Sequence, residues 1–167
     1  MSSLERVRNL LGDAVLDTHE EHGDTTVLLA RESLRSSLRK LRDDPELRFN
    51  MLTDLTAVDY LGREPRFEVV YHFLALDLTP HGSEPTRVRA RLRVKVGVPE
   101  GDCEVASACE LWASANWMER EVWDMYGIRF AGHPDLRRIL LYDEFHGHPL
   151  RKDYPKERRQ PLIGPRN

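Results

Sequence analysis

Cysteine is scarce in this sequence of 167 residues, which contains only Cys103 and Cys109. Two cysteines cannot build a disulfide framework, and these two lack the spacing of a CxxC redox or zinc motif. They also cannot ligate an iron–sulfur cluster by themselves, because such a cluster normally takes four ligands. We therefore expect a protein of a reducing compartment.

Long apolar runs are also missing. The longest, residues 69 to 78, is interrupted by His72 and Asp77 and is far shorter than the roughly 20 residues that span a bilayer. The N-terminus alternates charged residues with leucine and shows no apolar signal region. We expect the chain to be made and kept in the cytoplasm without direct membrane insertion, so that any membrane association comes through a partner.

Motifs of independent catalysis are absent as well. The sequence holds no GxSxG, no glycine-rich phosphate loop, no GxGxxG and no HExxH. A formal charge of -3 and a hydrophobic content of 40% do not suggest a polyanion binder or a disordered chain. The length fits a single domain.

What is present alternates between helical and strand periods. Apolar spacing predicts helices over residues 2–11, 31–42 and 105–126. Runs of β-branched and aromatic residues predict strands over 14–18, 25–30, 49–58, 67–78 and 86–96. Beyond Phe130 this periodicity disappears, yet apolar and basic residues continue. We predict an α+β domain over residues 1–130 and an extended, partner-binding C-terminal strap over residues 131–167.

The last predicted strand has alternating apolar and basic residues. Its basic positions are Arg87, Arg89, Arg91, Arg93 and Lys95. Such a row could follow a nucleic-acid backbone, but no aromatic residues interleave with it to stack bases. A solvated sheet face, or one that meets an acidic partner, explains the same alternation, and we expect no nucleic acid.

The tripeptide Gly-His-Pro occurs twice, at residues 132–134 and 147–149. His133, His146 and His148, with carboxylates nearby, are ligand types suited to zinc and suggest a metal-dependent hydrolase as one hypothesis. Their spacing matches no helical metal motif, and a residue before proline is restricted to extended geometry. We therefore interpret each copy first as a backbone turn, and we expect no metal.

Three carboxylates lie in MEREVWDMYG, at Glu119, Glu121 and Asp124. A pair of carboxylates can perform acid and base catalysis, and helical spacing places Glu121 and Asp124 on one face. We favour a structural role, in which these groups pair with arginines and fix the helix to the following segment. The arginines concerned are Arg120, Arg129, Arg137 and Arg138.

The segment ANWMEREVWDMYGIRFAGHPDLRRILLYDEFHGHPLRKDYP, residues 115–155, closely resembles the signature of the C-subunit family of respiratory NADH:quinone oxidoreductase, the thirty-kilodalton subunit of complex I. LTDLTAVDY at 52–60 and RFEVVYHFLAL at 66–76 are also similar to that family. The resemblance covers residues 48–155. The sequence departs from the family pattern at Ala113, Phe145 and Lys156, none of which lies in a Gly-His-Pro block.

The resemblance implies a two-layer α+β domain with a mixed β-sheet packed on helices. It implies that the strap wraps the quinone-site subunit, also called the D or forty-nine-kilodalton subunit, beside neighbouring peripheral-arm subunits. It also implies that this chain holds no catalytic residue, cofactor or metal. Iron–sulfur clusters, FMN, NADH and quinone would belong to the assembled complex, on the cytoplasmic side of the inner membrane. The equivalent subunit of a complex I-like membrane-bound hydrogenase remains an alternative.

Two residue sets follow from the resemblance. The first would contact the partner, and its members are His133, Asp135, Arg137, Arg138, His148, Arg151, Lys152, Asp153 and Tyr154. The second would brace the origin of the strap, and its members are Trp117, Glu119, Arg120, Glu121, Asp124 and Gly127.

Overall fold

A computed structural model describes residues 3–77, 87–157 and 160. Its three helices are α1 Ser3–Leu11, α2 Leu34–Asp43 and α3 Ala115–Tyr126. Its strands are β1 Val15–Glu21, β2 Asp24–Leu29, β3 Met51–Asp59, β4 Phe67–Asp77, β5 Arg87–Val98, β6 Glu104–Ala106 and β7 Arg129–Ala131. The described residues after Ala131 form neither helix nor strand, as predicted for the strap.

Five strands form one sheet in the order β1-β2-β5-β4-β3. β2 runs parallel to β5, whereas the other three neighbouring pairs are antiparallel. The mixed α+β architecture is therefore confirmed. The short strands β6 and β7 pair in parallel as a separate two-stranded sheet.

One face of the large sheet supplies the core. Along β5 the side chains of Val94 and Val96 are buried, whereas Arg93 and Lys95, which alternate with them, are only partly covered. The same hydrophobic cluster includes Leu38 of α2 and Val122 of α3. Because strand side chains alternate between faces, the helices cover the apolar side and leave the basic row on the other.

The basic row has partners within the chain. Arg89 lies 2.8 Å from Asp77, Arg93 lies 3.3 Å from Asp24, and Lys95 lies 2.9 Å from Glu68. These ion pairs support the interpretation of a solvated sheet face, because the basic side chains are partly neutralised where they lie.

The helix predicted over 105–126 is wrong at its start, because α3 begins only at Ala115. Val105 instead pairs with Phe130 between β6 and β7, and the backbone N–H of Ser107 donates to Ala131. Because β7 follows α3 in the sequence, its pairing with β6 cannot be predicted from local residue spacing. Ser2, the first residue of the helix predicted over 2–11, lies outside the described residues. Within the described residues, no helix is long and apolar enough to cross a bilayer.

Candidate functional site

Helix α3 and the strap form one hydrogen-bonded unit. The last carbonyl groups of a helix have no hydrogen-bond partner within the helix. Here the strap supplies those partners. The carbonyl oxygen of Asp124 contacts the His148 ring, that of Met125 accepts from the Leu150 N–H, and that of Tyr126 accepts from Arg151 at 2.5 Å. The strap therefore completes the C-terminal end of α3.

Gly127 allows the strap to approach so closely. It ends α3 in the left-handed conformation with φ of 76°, and its N–H donates to the carbonyl of Trp123. A Cβ at this position would lie 2.6 Å from the His148 ring and 2.8 Å from Arg151. Only glycine combines this backbone conformation with so little space.

The carboxylate of Asp124 is fully buried at the centre of this unit. One of its oxygens accepts the backbone N–H groups of Ile139, Leu140 and Leu141, and the other lies 2.5 Å from the Arg138 guanidinium. Burial is the largest single influence and raises the pKa of Asp124, but these hydrogen bonds together outweigh it and bring the pKa below its ordinary value. An ionised Asp124 thus organises the strap around itself.

The two Gly-His-Pro copies fix the strap at two points of α3. The Nε2 of His133 lies 3.0 Å from the carbonyl of Asn116 while its Nδ1 accepts the Asp135 N–H. The Nδ1 of His148 lies 2.9 Å from the carbonyl of Asp124. Each imidazole therefore donates to a helix carbonyl through a different nitrogen, and burial lowers the pKa of His148, which keeps that ring neutral.

A second attachment lies where β3 turns into β4. Arg66 and Asp59 are almost completely buried and form two parallel hydrogen bonds of 3.0 and 2.9 Å. Arg66 also holds Asp153 of the strap through bonds of 3.0 and 2.7 Å, and Asp59 accepts the backbone N–H of Lys152. Hydrogen bonds from Arg66 are the main cause that lowers the pKa of both carboxyl groups. We call Asp59, Arg66 and Asp153 the clasp.

Aromatic rings close the strap on itself. Phe145 packs edge-on against Tyr142 at 5.6 Å and stacks on Tyr154 at 6.1 Å between ring centroids. Gly147, with φ of 96°, lies under Tyr154, where a Cβ would be 2.9 Å from the ring. The second Gly-His-Pro is therefore a tight turn, as predicted.

Glu119 pairs with no arginine among the described residues, and this part of the expectation is wrong. Its buried carboxylate accepts the Ser107 hydroxyl at 2.7 Å, the Ala108 N–H at 2.6 Å and the Cys109 thiol at 3.3 Å. Burial raises the pKa of Glu119 and raises that of Cys109 to about 12. Glu119 thereby fixes the loop that precedes α3. Glu121, expected to share a face with Asp124, is exposed while Asp124 is buried.

Cys109, Glu119 and His133 are the one group of three possible metal ligands among the described residues. His133 argues against a metal there, because one ring nitrogen accepts the Asp135 N–H and the other must then carry the proton donated to Asn116. Neither nitrogen keeps a lone pair for an ion. The predicted trio of His133, His146 and His148 is not a cluster of this kind in the described part of the chain.

The predicted partner-contact residues divide by exposure. The side chains of Arg137 and Asp135 are 72% and 52% exposed and pair with each other. Arg138, by contrast, is only 12% exposed and is held by Asp124 and by the carbonyl of Phe145. Within this chain, His148, Arg151 and Asp153 likewise attach the strap to its own domain.

The predicted brace residues divide in the same way. Glu119 and Asp124 are completely buried, and Arg120 donates to the carbonyls of Arg137 and Arg138. Trp117 instead points outward and is 66% exposed. The roles of Asp59, Arg66 and Ser107 as attachment points were not predicted from the sequence, although the first two lie within segments that resemble the family.

A family model described as "Respiratory-chain NADH dehydrogenase, 30 Kd subunit" matches residues 27–160. The chain belongs to this family. Its relatives include the C subunit of NADH-quinone oxidoreductase from Citrifermentans bemidjiense, 47% identical over 95% of this chain and 92% of the relative. The C subunit of a Roseiflexus species is 51% identical over 91% of this chain and 82% of the relative. Membership makes this thirty-kilodalton family protein a subunit of NADH-quinone oxidoreductase.

Solved structures share the fold. A trypsin-resistant fragment of Nqo5 superposes with a TM-score of 0.65 at 35% identity and covers 80% of this chain and 96% of the fragment. A chain from the membrane-bound sulfane sulfur reductase, an archaeal respiratory membrane complex, has a TM-score of 0.72 over 92% of this chain and 86% of its own. At 20% identity, the second similarity shows the fold alone.

Proposed function

We propose that this thirty-kilodalton family protein is a non-catalytic subunit of the peripheral arm, which assembles with the quinone-site subunit and stabilises it. Electron transfer from NADH to quinone, coupled to proton translocation, then belongs to the assembled complex on the cytoplasmic side of the membrane. The observation that carries the proposal is the strap, which has no helix or strand in its described residues yet is fixed into one shape by α3 and the clasp.

A fixed strap suits an assembly protein for an energetic reason. Ordering a segment at the moment of binding costs conformational entropy that subtracts from affinity. Here the contacts of Asp124 and Arg66 hold the segment before a partner arrives. The outer side of the strap can then act as a preformed contact surface.

Co-purification tests this proposal. The tagged chain should recover the quinone-site subunit and its neighbours from cells that make the complex. Recovery of the chain alone, under conditions in which the other subunits are intact, would contradict it. An exposed-site variant such as Leu61→Ala serves as a control for the tag and the preparation.

The absence of a cofactor in this chain is part of the proposal and has its own measurement. Elemental analysis and absorption spectra of the purified chain should show no stoichiometric iron, zinc or flavin. Stoichiometric zinc that disappears in a His133→Gln variant would instead support the metal-dependent hydrolase.

A further inference from the structure

Trp117 is the most exposed large apolar side chain of the described residues. It lies in the first turn of α3, a helix whose other flank is packed on the core. Exposing a tryptophan leaves a large apolar area in water, and burying such an area at an interface is strongly favourable. Within the described part of the chain, an arginine lies over the ring but leaves most of the side chain open.

That arginine is Arg120, whose guanidinium carbon lies 5.6 Å from the centre of the Trp117 ring. Its Nε and Nη2 donate to the carbonyls of Arg137 and Arg138 at 3.1 and 2.9 Å. The guanidinium is therefore immobilised between helix and strap. An arginine held in this way loses little further entropy when it binds a second protein.

Arg120 has no counter-charge among the described residues. No carboxylate of the described residues lies within ion-pair distance of it, although its neighbours Arg137 and Arg138 pair with Asp135 and Asp124. The two carbonyl bonds involve Nε and Nη2, and the structure shows no hydrogen bond from Nη1 to a described residue. A fixed, half-buried cation with free donors is complementary to a carboxylate from outside.

The strap continues this surface past Arg120. The carbonyls of Arg137 and Arg138 lie against the Arg120 guanidinium, and Leu140 follows closely with a side chain that is 62% exposed. Residues three or four apart on a helix are neighbours on its surface, so Trp117, Arg120 and the strap at 137–140 form a connected stripe. We call this stripe the Trp117 surface.

We infer that the Trp117 surface is the anchor for a segment of the quinone-site subunit that presents a carboxylate beside an apolar side chain. The apolar group covers the Trp117 ring, and the carboxylate accepts from the Nη1 of Arg120. This inference rests on the proposed function. It assigns Trp117 and Arg120 as the two residues that contribute most to binding the quinone-site subunit, since tryptophan and arginine are among the commonest interface hot spots.

The test is a titration of the purified full chain against the purified quinone-site subunit. Trp117→Ala should raise the Kd about thirtyfold, the ratio that corresponds to a hot-spot residue. Leu16→Ala is the matched control, because Leu16 is similarly exposed, at 62%, but lies on the edge strand β1. The control should leave the Kd unchanged.

Arg120→Gln tests the charge. Its Kd should rise less steeply with added salt than that of the unaltered chain, because one ion pair has been removed. An unchanged salt dependence would overturn the assignment of a carboxylate to the partner segment.

The remaining outcomes separate the two hypotheses. If the unaltered chain does not bind the quinone-site subunit, the proposed function fails and the inference falls with it. If the unaltered chain binds and Trp117→Ala binds equally well, only the inference fails. A Trp117→Ala chain whose own melting temperature drops along with its affinity would show that Trp117 is structural, and this too would overturn the inference.

Discussion

The guanidinium of Arg138 lies 2.5 Å from the fully buried carboxylate of Asp124, so a residue of the strap neutralises a buried charge of α3. The adjacent Arg137 faces solvent, and its side chain pairs only with Asp135 among the described residues. Two consecutive arginines of one motif therefore have different physical roles. Arg138 holds the fold together, whereas Arg137 is available to a partner.

This difference predicts unequal effects on stability. Arg138→Ala should lower the free energy of unfolding of the isolated chain by about 3 kcal/mol or more, because it leaves a buried charge unpaired. Arg137→Ala, the matched control, should change it by less than about 0.5 kcal/mol. Urea denaturation at neutral pH measures both, and equal losses would contradict the assignment.

The clasp predicts that the strap can be released selectively. Asp153→Asn removes a half-exposed partner of Arg66 and should cost only about 1 kcal/mol, because solvent screens that pair. Tryptic cleavage within the strap, at Arg151 and Lys152, should nevertheless become faster. Asp135→Asn is the control, since its carboxylate pairs with Arg137 and not with the clasp. A strap equally protected in both variants would argue that the clasp does not hold it.

The clasp also predicts that the strap is held less firmly at acid pH. Arg66 lowers the folded-state pKa of Asp59 and Asp153 below the ordinary value of 3.8. Their contribution to stability is therefore complete above that value and is lost as pH falls through the folded-state pKa. Tryptic digestion is unsuited to acid, so pepsin cleavage of the strap between about pH 4 and pH 2 provides the measurement. In the Asp59→Asn, Asp153→Asn double variant, pepsin cleavage of the strap should depend less on pH.

Replacing Gly127 should lower the free energy of unfolding for two separate reasons. Gly23→Ala places alanine at a positive φ of 82° in open space and should cost about 1 kcal/mol from backbone strain alone. Gly127→Ala has a similar φ of 76° but adds the clash with His148 and Arg151, which should cost at least about 1 kcal/mol more. Thermal denaturation of the two variants compares them. Equal costs would mean that the strap is not packed against Gly127.

Glu119 predicts a pH dependence of stability that is opposite in sign to that of the clasp. Its pKa is raised above the ordinary value of 4.5, so between the two values the folded chain binds more protons than the unfolded chain. Its contribution to stability therefore falls as pH rises through this window. The stability of Glu119→Gln relative to the unaltered chain should increase from about pH 4.5 upward. A stability difference between the two chains that stays constant from about pH 4.5 upward would contradict this assignment.

Much of the fold followed from local patterns. The alternation of β5, the apolar spacing of α2 and the loss of periodicity after Phe130 depend on residues close together in sequence, so they were predicted within a few positions. The family was also evident from sequence, because residues 115–155 carry a long, specific motif. By contrast, the start of α3 was placed at Val105 instead of Ala115, because β6 forms only by pairing with β7.

Residue patterns alone were enough to predict an α+β domain, a strap with turns at both Gly-His-Pro copies, and a set of charged residues around α3. Which of these residues face inward depended on tertiary contacts, because a chain in extended or turning conformation has no period that reveals its buried side. The bond between Arg66 and Asp153 joins residues 87 positions apart. For the same reason Trp117, predicted to brace the strap, is exposed, whereas Arg138, predicted to contact the partner, is largely buried. Contacts between distant segments set the burial of each side chain, and burial separates a residue that holds the fold from one that can meet a partner.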